Sequence, residues 1–261
     1  MILRRTFLAL IFAATSPLFG LVSVQDSGAA PSSSRFAGQT VIVTGANRGL
    51  GLEFARQFAA AGANVVGTAR DPEAATELAA AGARVLQLDV SDDASVAAFA
   101  LAIGDAPVHL LINNAGMSGR SLIDEVSHVE LVRRIFDVNT LGPMRVTDAL
   151  LPNLLAADEA FIVNVSSRLG SLTENTIGGY HGYRESKAAL NMYSRSLAAD
   201  HRDDGIVAVC VSPGWVRTDM GGPQAPLSPE ESISGLRKVI EGLDAEASGK
   251  FLNHDGTELD W

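Results

Sequence analysis

From residue 39 onward, short apolar runs alternate with longer amphipathic ones, and no other feature of the sequence limits the fold as much. The runs at 40–43 and 206–212 are continuously apolar and rich in β-branched residues, as expected of strands buried on both faces. Similar runs at 64–69, 84–90, 109–113 and 161–166 predict four more strands, and 250–254 is a possible last one.

Helical patterns lie between these runs, and Ser91 is placed to cap the third of them. The predicted helices cover residues 50–61, 72–82, 91–103, 129–139, 143–155, 186–200 and 233–243. Strand–helix alternation of this period is typical of parallel strands joined by right-handed crossovers. We therefore expect an α/β fold in one domain, a doubly wound parallel sheet with helices on both faces. Its ligand site should lie beyond the carboxyl ends of the strands.

A glycine-rich turn follows the first predicted strand. Its residues are Thr44, Gly45, Ala46, Asn47, Arg48, Gly49, Leu50 and Gly51. Glycines at a strand-to-helix turn allow the backbone to approach a phosphate closely, beside the positive N-terminus of the helix. The turn therefore predicts a dinucleotide site.

The second predicted strand ends in Arg70, where an acidic residue would bind the adenosine 2′-hydroxyl. Guanidinium groups match the geometry of phosphate, so Arg70 and Arg48 could hold a 2′-phosphate. This favours NADP over NAD, although Asp71 could still reach a ribose.

Tyr183 and Lys187 are four residues apart, a spacing that places both on one face of a helix. A nearby ammonium favours the ionised form of a phenol, so we expect Lys187 to lower the pKa of Tyr183 toward neutrality. The alternative is an ordinary amphipathic helix with a packed tyrosine and a solvated lysine. Tyr180 is a rival to Tyr183, but the residue four positions beyond it is Arg184, whose charge is permanent.

The order of these motifs resembles the short-chain dehydrogenase/reductase family, and the resemblance covers residues 37–261. It rests on the glycine turn and on six further groups of residues: Asp89-Val90, Asn113-Asn114-Ala115-Gly116, Asn139, Asn164-Val165-Ser166-Ser167, Tyr183 with Lys187, and Pro213-Gly214. Within the family, residues 168–171, residues 214–222 and Trp261 resemble the C-factor or carbonyl-reductase-like branch. The resemblance implies a Rossmann fold.

The resemblance also implies a catalytic set. Tyr183 would be the general acid in carbonyl reduction, and Lys187 would tune the phenol and hold the nicotinamide ribose. Ser167 would hydrogen-bond the carbonyl oxygen, and Asn139 would position the lysine through a water molecule. Because Tyr183 lies 16 positions after Ser167, a little more than is usual in the family, Ser166 remains an alternative to Ser167.

The cofactor would contact residues at five strand ends. By the resemblance these are Gly45, Asn47, Arg48, Gly49, Leu50, Gly51, Arg70, Asp89, Val90, Asn114, Ala115, Gly116, Val216 and Thr218, together with Tyr183 and Lys187. Residues 213–229 would form either a flexible lid over the substrate or a rigid surface loop. The longer segment 171–179 would border the substrate.

The implied function is hydride transfer between NADP(H) and a small carbonyl or alcohol substrate, with a homo-oligomer possible. Two alternatives remain open. One is a non-catalytic dinucleotide-binding signalling protein on the same fold, and the other is a nucleotide- or S-adenosylmethionine-binding transferase.

The first 34 residues differ in kind from the rest. Arg4-Arg5 precede an apolar stretch to about Val24, and a tract of small residues follows. This order is typical of a signal peptide, and the paired arginines resemble a twin-arginine export signal. We expect residues 1–34 to be a leader, residues 35–261 to be the domain, and the protein to be exported to the periplasm. An uncleaved leader on a cytoplasmic protein is the alternative.

Composition excludes several other classes of function. The formal net charge is −10 with no long basic run, which argues against a nucleic acid or an anionic membrane as partner. Interruption of the apolar leader by Pro17 and Gly20 argues against a stable membrane-spanning helix. The single cysteine, Cys210, excludes an intramolecular disulfide, and the five histidines show no metal-ligand spacing. No metal is expected.

Overall fold

The computed structural model describes residues 34–119 and 128–261. The predicted leader, residues 1–34, lies outside the described residues except for its last residue, Ser34. The strands are β1 (Thr40–Val43), β2 (Asn64–Ala69), β3 (Arg84–Gln87), β4 (Leu110–Asn113), β5 (Ala160–Val165), β6 (Ile206–Ser212) and β7 (Phe251–Asn253). The α-helices are α1 (Gly49–Ala60), α2 (Thr76–Ala80), α3 (Asp93–Ile103), α4 (His128–Phe136), α5 (Gly142–Leu155), α6 (Tyr183–Asp200) and α7 (Pro229–Glu241).

In the part of the chain that the structure describes, the strands form one seven-stranded sheet in the order β3-β2-β1-β4-β5-β6-β7. Every pairing is parallel, with Val43 beside Ile112 and Asn113 beside Asn164. The doubly wound α/β prediction is confirmed. The order of strands reverses between β1 and β4, and this is the point at which such sheets bind ligands.

Two hydrophobic cores cover the two faces of the sheet. Val41 and Val43 of β1 pack in one core with α1 and α7. Ile42, between them, faces the other core with α3, α5 and α6. This period-two alternation, in strands buried on both sides, explains why the sequence shows continuous apolar runs there.

The helical patterns predicted at 129–139 and 143–155 form one continuous run, because a π-helical turn, Asp137–Leu141, joins α4 to α5. Pro143 lies in the first turn of α5, directly after the π-helical turn. Gly142 allows this run to pack closely against Val90, which follows β3: a Cβ at Gly142 would lie 2.8 Å from a methyl group of Val90.

Helix starts differ from the predictions at two places. Asp92, not Ser91, caps α3, and its carboxylate accepts a hydrogen bond from the Ala94 N–H. The helix expected from Ser186 begins instead at Tyr183. There Gly182 has a φ of 82° and donates its N–H to the Glu185 carboxylate. Among the described residues, no helix is long and apolar enough to cross a membrane.

Candidate active site

The glycine turn lies at the sheet's switch point and has the conformation that the sequence predicts. Gly45 and Gly49 have φ values of 62° and 55°, which favour glycine. A Cβ at Gly51 would collide with the carbonyl oxygen of Gly45. Arg48 is the N-cap of α1 and makes no side-chain cap bond, so its side chain leaves the first N–H groups of the helix uncapped. The turn fits a phosphate group.

Asn114 helps to hold the glycine turn in shape. Its side-chain amide donates to the carbonyl oxygens of Thr44 at 2.9 Å and Gly45 at 3.1 Å. The Thr44 hydroxyl accepts from the N–H groups of Asn114 and Ala115, both at 3.0 Å. Thr44 and Asn114 therefore tie the end of β4 to the glycine turn and fix its shape. Sequence reasoning placed Thr44 in the motif but gave it no role.

At the far side of the turn, Arg70 and Asp71 are both exposed after β2. The Asp89 carboxylate accepts from the Ser91 hydroxyl at 2.6 Å and from its N–H at 2.9 Å. The Ser91 hydroxyl bond is the main cause that lowers the pKa of Asp89, and Arg70 contributes a smaller electrostatic effect. Asp89 and Arg70 thus lie in one polar region beside the turn, while the side chain of Val90 is buried.

The loop after β6 reaches across to the glycine turn. The Thr218 methyl lies 3.6 Å from the position that a Cβ would occupy at Gly49. Asp219 forms an ion pair with Arg48, 3.1 Å from Oδ2 to Nη1. Val216 is buried and bridges to Leu227, so the base of the loop is anchored. The structure therefore brings together the predicted cofactor residues of the turn and of this loop. Asn47 and Gly116 are exposed beside them, and Leu50 and Ala115 are half-buried.

Ser167, Tyr183 and Lys187 meet at the carboxyl end of β5. Tyr183 is the first residue of α6, and the Ser167 side chain lies close enough to its phenol to lower the pKa of that phenol. Ser166 points elsewhere, because its hydroxyl is buried and donates to the Asn191 amide oxygen at 2.6 Å. The geometry favours Ser167 over Ser166 as the serine that faces the tyrosine.

Lys187 is buried, and its ammonium lies 5.8 Å from the centre of the Tyr183 ring. It donates a hydrogen bond to the Val165 carbonyl oxygen at 2.8 Å. Burial lowers the pKa of Lys187 to about 8, because the charged form loses its hydration. Gly170 makes this packing possible, since a Cβ there would lie 2.8 Å from the Lys187 Cβ.

The expectation that Lys187 lowers the pKa of Tyr183 is wrong for this structure. Burial raises the pKa of the Tyr183 phenol, and the nearby Ser167 side chain only opposes that rise. Although Tyr183 keeps some solvent exposure, most of its surroundings are protein. The nearby Lys187 ammonium does not offset this rise. Tyr183 is therefore protonated at neutral pH.

Asn139 is fully buried in the π-helical turn between α4 and α5. Its side chain accepts from the Met117 N–H at 2.8 Å and donates to the Met117 carbonyl oxygen at 2.9 Å. It also donates to the Ser186 hydroxyl at 3.0 Å. Asn139 thus connects the segment after β4 to the start of α6, one residue before Lys187. Single π-helical turns within longer helices are frequent at functional sites.

Tyr180, the rival tyrosine, is exposed and has a φ of 54°. Arg184 is buried and donates to the carbonyl oxygens of Gly179 and Leu169, so it holds the loop before α6. Arg168 adds a paired contact to Glu174 at 2.9 and 3.0 Å. Segment 171–179 is thereby tied down at several points next to Tyr183.

Residues 213–229 are held by bonds within the loop. The Trp215 indole donates to the Gly221 carbonyl oxygen at 2.7 Å, and Arg217 donates to Ala225 and Pro226 at 3.0 and 2.6 Å. The described residues contain no cluster of three or more His, Cys, Asp or Glu side chains that could hold a metal.

Comparison with known proteins agrees with this geometry. Residues 39–226 match the family model described as short chain dehydrogenase. The chain is 48% identical over 165 residues to C-signal of Myxococcus xanthus, covering 63% of this chain and 99% of that protein. It is 37% identical over 231 residues to the 1-hydroxy-2-glutathionyl-2-methyl-3-butene dehydrogenase of Rhodococcus sp. (strain AD45), covering 85% and 99%.

Solved structures give the same result. The NADPH-bound carbonyl reductase from chicken fatty liver superposes with a TM-score of 0.80 at 35% identity, covering 86% of this chain and 99% of that one. The carbonyl reductase Sniffer of D. melanogaster has a TM-score of 0.79 at 32% identity, covering 86% and 100%. The family match spans most of the chain, and its glycine turn, Ser167, Tyr183 and Lys187 lie together at one edge of the sheet. The chain belongs to the short-chain dehydrogenase family of oxidoreductases.

Proposed function

We propose that this protein reduces a ketone or aldehyde with NADPH, and that Tyr183 donates the proton. The observation on which this rests is the buried Lys187 ammonium, 5.8 Å from the centre of the Tyr183 ring, with the Ser167 side chain beside the phenol. In an ordinary amphipathic helix Lys187 would be solvated, whereas here it is buried and burial lowers its pKa.

The dinucleotide would be held by the chain's own groups. The turn from Gly45 to Gly51 and the uncapped start of α1 would take the pyrophosphate. Asp89 would contact the adenosine. Arg48 and Arg70 would hold the 2′-phosphate, which is why we propose NADP rather than NAD. The carbonyl reductase from chicken fatty liver, a structural relative, is described as NADPH-bound.

When bound, the nicotinamide supplies the hydride, and the protein supplies orientation and electrostatics. Ser167 hydrogen-bonds the carbonyl oxygen and stabilises the negative charge that develops there. Tyr183 then donates its phenolic proton to that oxygen as general acid. A phenol whose pKa is raised is protonated at neutral pH, which is the state that reduction requires.

Lys187 and Asn139 support this step. Lys187 lies on the same face of α6 as Tyr183 and would hold the nicotinamide ribose. Asn139 fixes Met117 and Ser186 on either side of the lysine, so we propose that it positions α6 against the cofactor groove. The water-mediated relay through Asn139 stays a prediction.

The experiment that tests the proposal is a screen of aliphatic and aromatic ketones and aldehydes against NADPH and NADH in parallel. We expect carbonyl-dependent oxidation of NADPH, with a higher kcat/KM than for NADH. A preference for NADH that survives Arg48→Ala and Arg70→Ala would overturn the cofactor assignment.

A second candidate is a non-catalytic dinucleotide-binding signalling protein. The 48% identity to a protein named C-signal favours it. The placement of Ser167 beside the Tyr183 phenol and the burial of Lys187 argue against it, since binding alone needs neither. Cofactor binding without turnover on any carbonyl in the screen would favour this candidate over a reductase.

A further inference from the structure

Arg48, one of the two arginines proposed for the 2′-phosphate, is already engaged by a carboxylate. Its Nη1 lies 3.1 Å from Oδ2 of Asp219. The two residues are 171 positions apart in sequence. Both side chains are largely exposed, at 73% and 82%, so no packing requirement explains the contact.

The position of Asp219 is fixed by its neighbours in the loop. The Thr218 hydroxyl accepts from the Gly221 N–H at 3.1 Å, and the Gly222 N–H donates to the Thr218 carbonyl oxygen at 2.8 Å. Thr218 also rests on the glycine turn beside Gly49. Asp219 is therefore presented to Arg48 by a closed turn.

A carboxylate and a phosphate compete for a guanidinium, because both use the same fork of N–H donors. Arg48 cannot offer its full set of donors to a 2′-phosphate while it holds Asp219. In addition, the Asp219 charge would repel a phosphate bound at Arg48. Neither effect acts on a cofactor with a free 2′-hydroxyl.

We propose that Asp219 is a specificity-determining residue that limits the preference for NADPH over NADH by competing with the 2′-phosphate for Arg48. This rests on the proposed function, in which Arg48 meets that phosphate. Contact of Arg70 with the 2′-phosphate accounts for the preference for NADPH that remains.

The test is to measure the Kd of NADPH and of NADH by calorimetry for wild type, Asp219→Asn, Arg48→Gln and the double variant. Exposed ion pairs contribute little, so we expect Asp219→Asn to tighten NADPH about two- to fivefold. The Kd of NADH should stay nearly unchanged. In the Arg48→Gln background, Asp219→Asn should have little further effect.

Glu77→Gln is the matched control. It breaks another exposed ion pair, Glu77 with Arg56 at 2.7 Å, on α2 and α1 rather than in the loop after β6. We expect it to leave both dissociation constants unchanged. Equal thermal midpoints for all variants would show that each one folds.

Two results would overturn the inference. If Asp219→Asn weakens both cofactors equally, the ion pair instead holds the loop closed over the groove. If it changes neither, Asp219 does not compete for Arg48. The proposed function fails separately: wild type would then show no preference for NADPH, and Arg48→Gln would not weaken NADPH binding.

Discussion

Replacing Lys187 by methionine should stabilise the folded protein at neutral pH while abolishing catalysis. Lys187 is buried, and its pKa falls from 10.5 to about 8. Between these two values the unfolded chain holds a proton that the folded chain has released. The stability of wild type therefore rises with pH across this window. Below about pH 8 the folded state bears the full cost of burying the lysine.

The size of the effect follows from the shift in pKa. A difference of about 2.5 units corresponds to about 3 kcal/mol of destabilisation at pH 7, falling to about 1 kcal/mol at pH 10. Methionine also loses the hydrogen bond to the Val165 carbonyl oxygen, which costs about 1 kcal/mol at every pH. The net gain of Lys187→Met at pH 7 should therefore be about 2 kcal/mol.

The assay is urea unfolding of both proteins at several values between pH 7 and 10, followed by circular dichroism. The difference in free energy of unfolding between the two proteins isolates Lys187, because their other titrating groups are the same. We expect this difference to shrink by about 2 kcal/mol over the range. A difference that does not change with pH, or a variant that is less stable at pH 7, would refute the burial argument.

The remaining predictions concern the two serines after β5, Thr173 and the leader. Ser167→Ala should lower kcat by roughly 10²–10³-fold through loss of an oxyanion donor. Ser166→Ala should instead cost about 1–3 kcal/mol of unfolding free energy, because the buried Asn191 loses a partner; similar kcat values for the two variants would contradict this division. Thr173→Val removes a 2.8 Å hydrogen bond to the Trp261 carbonyl oxygen and so loosens segment 171–179, which is predicted to border the substrate. KM for bulky carbonyls should therefore change more than kcat in steady-state assays, and a fall in kcat alone would contradict this. If the leader is an export signal, mass spectrometry of the periplasmic protein should find an N-terminus well beyond Met1; a cytoplasmic protein that keeps Met1 would exclude export.

Most of the fold could be predicted because each central strand is buried on both faces and so stands out as an apolar run. Boundaries were less certain where local bonds decide them. The π-helical turn around Asn139 could not be foreseen, since Pro143 reads as a helix start whether or not a helix precedes it. The start of α6 at Tyr183 depends on a positive φ at Gly182, which an isolated glycine in sequence does not reveal.

The site shows the same division. The four-residue spacing singles out Tyr183 and Lys187, the family resemblance implies Ser167, and the structure brings the three together. The choice between Ser166 and Ser167 required the observed bond to Asn191. Whether the pKa of Tyr183 is raised or lowered depends on how deeply the phenol is buried. The four-residue spacing cannot show this.

Contacts between distant segments were the least predictable. The pairing of Arg48 with Asp219 joins two loops far apart in sequence, and neither local pattern indicates the other. The predictions of an exported precursor and of a homo-oligomer remain predictions. The proposed carbonyl substrate would contact segment 171–179, and the interval that contains this segment is longer than is usual in the family.

The central claim is that Tyr183 is the proton donor, and Tyr183→Phe tests it most directly. The substitution removes only the hydroxyl that meets Ser167, so packing of α6 should persist. We expect carbonyl-dependent NADPH oxidation to fall at least about a hundredfold, with the Kd of NADPH nearly unchanged. The exposed Tyr180→Phe variant, as matched control, should turn over like wild type. A Tyr183→Phe enzyme that keeps the wild-type kcat would contradict the account.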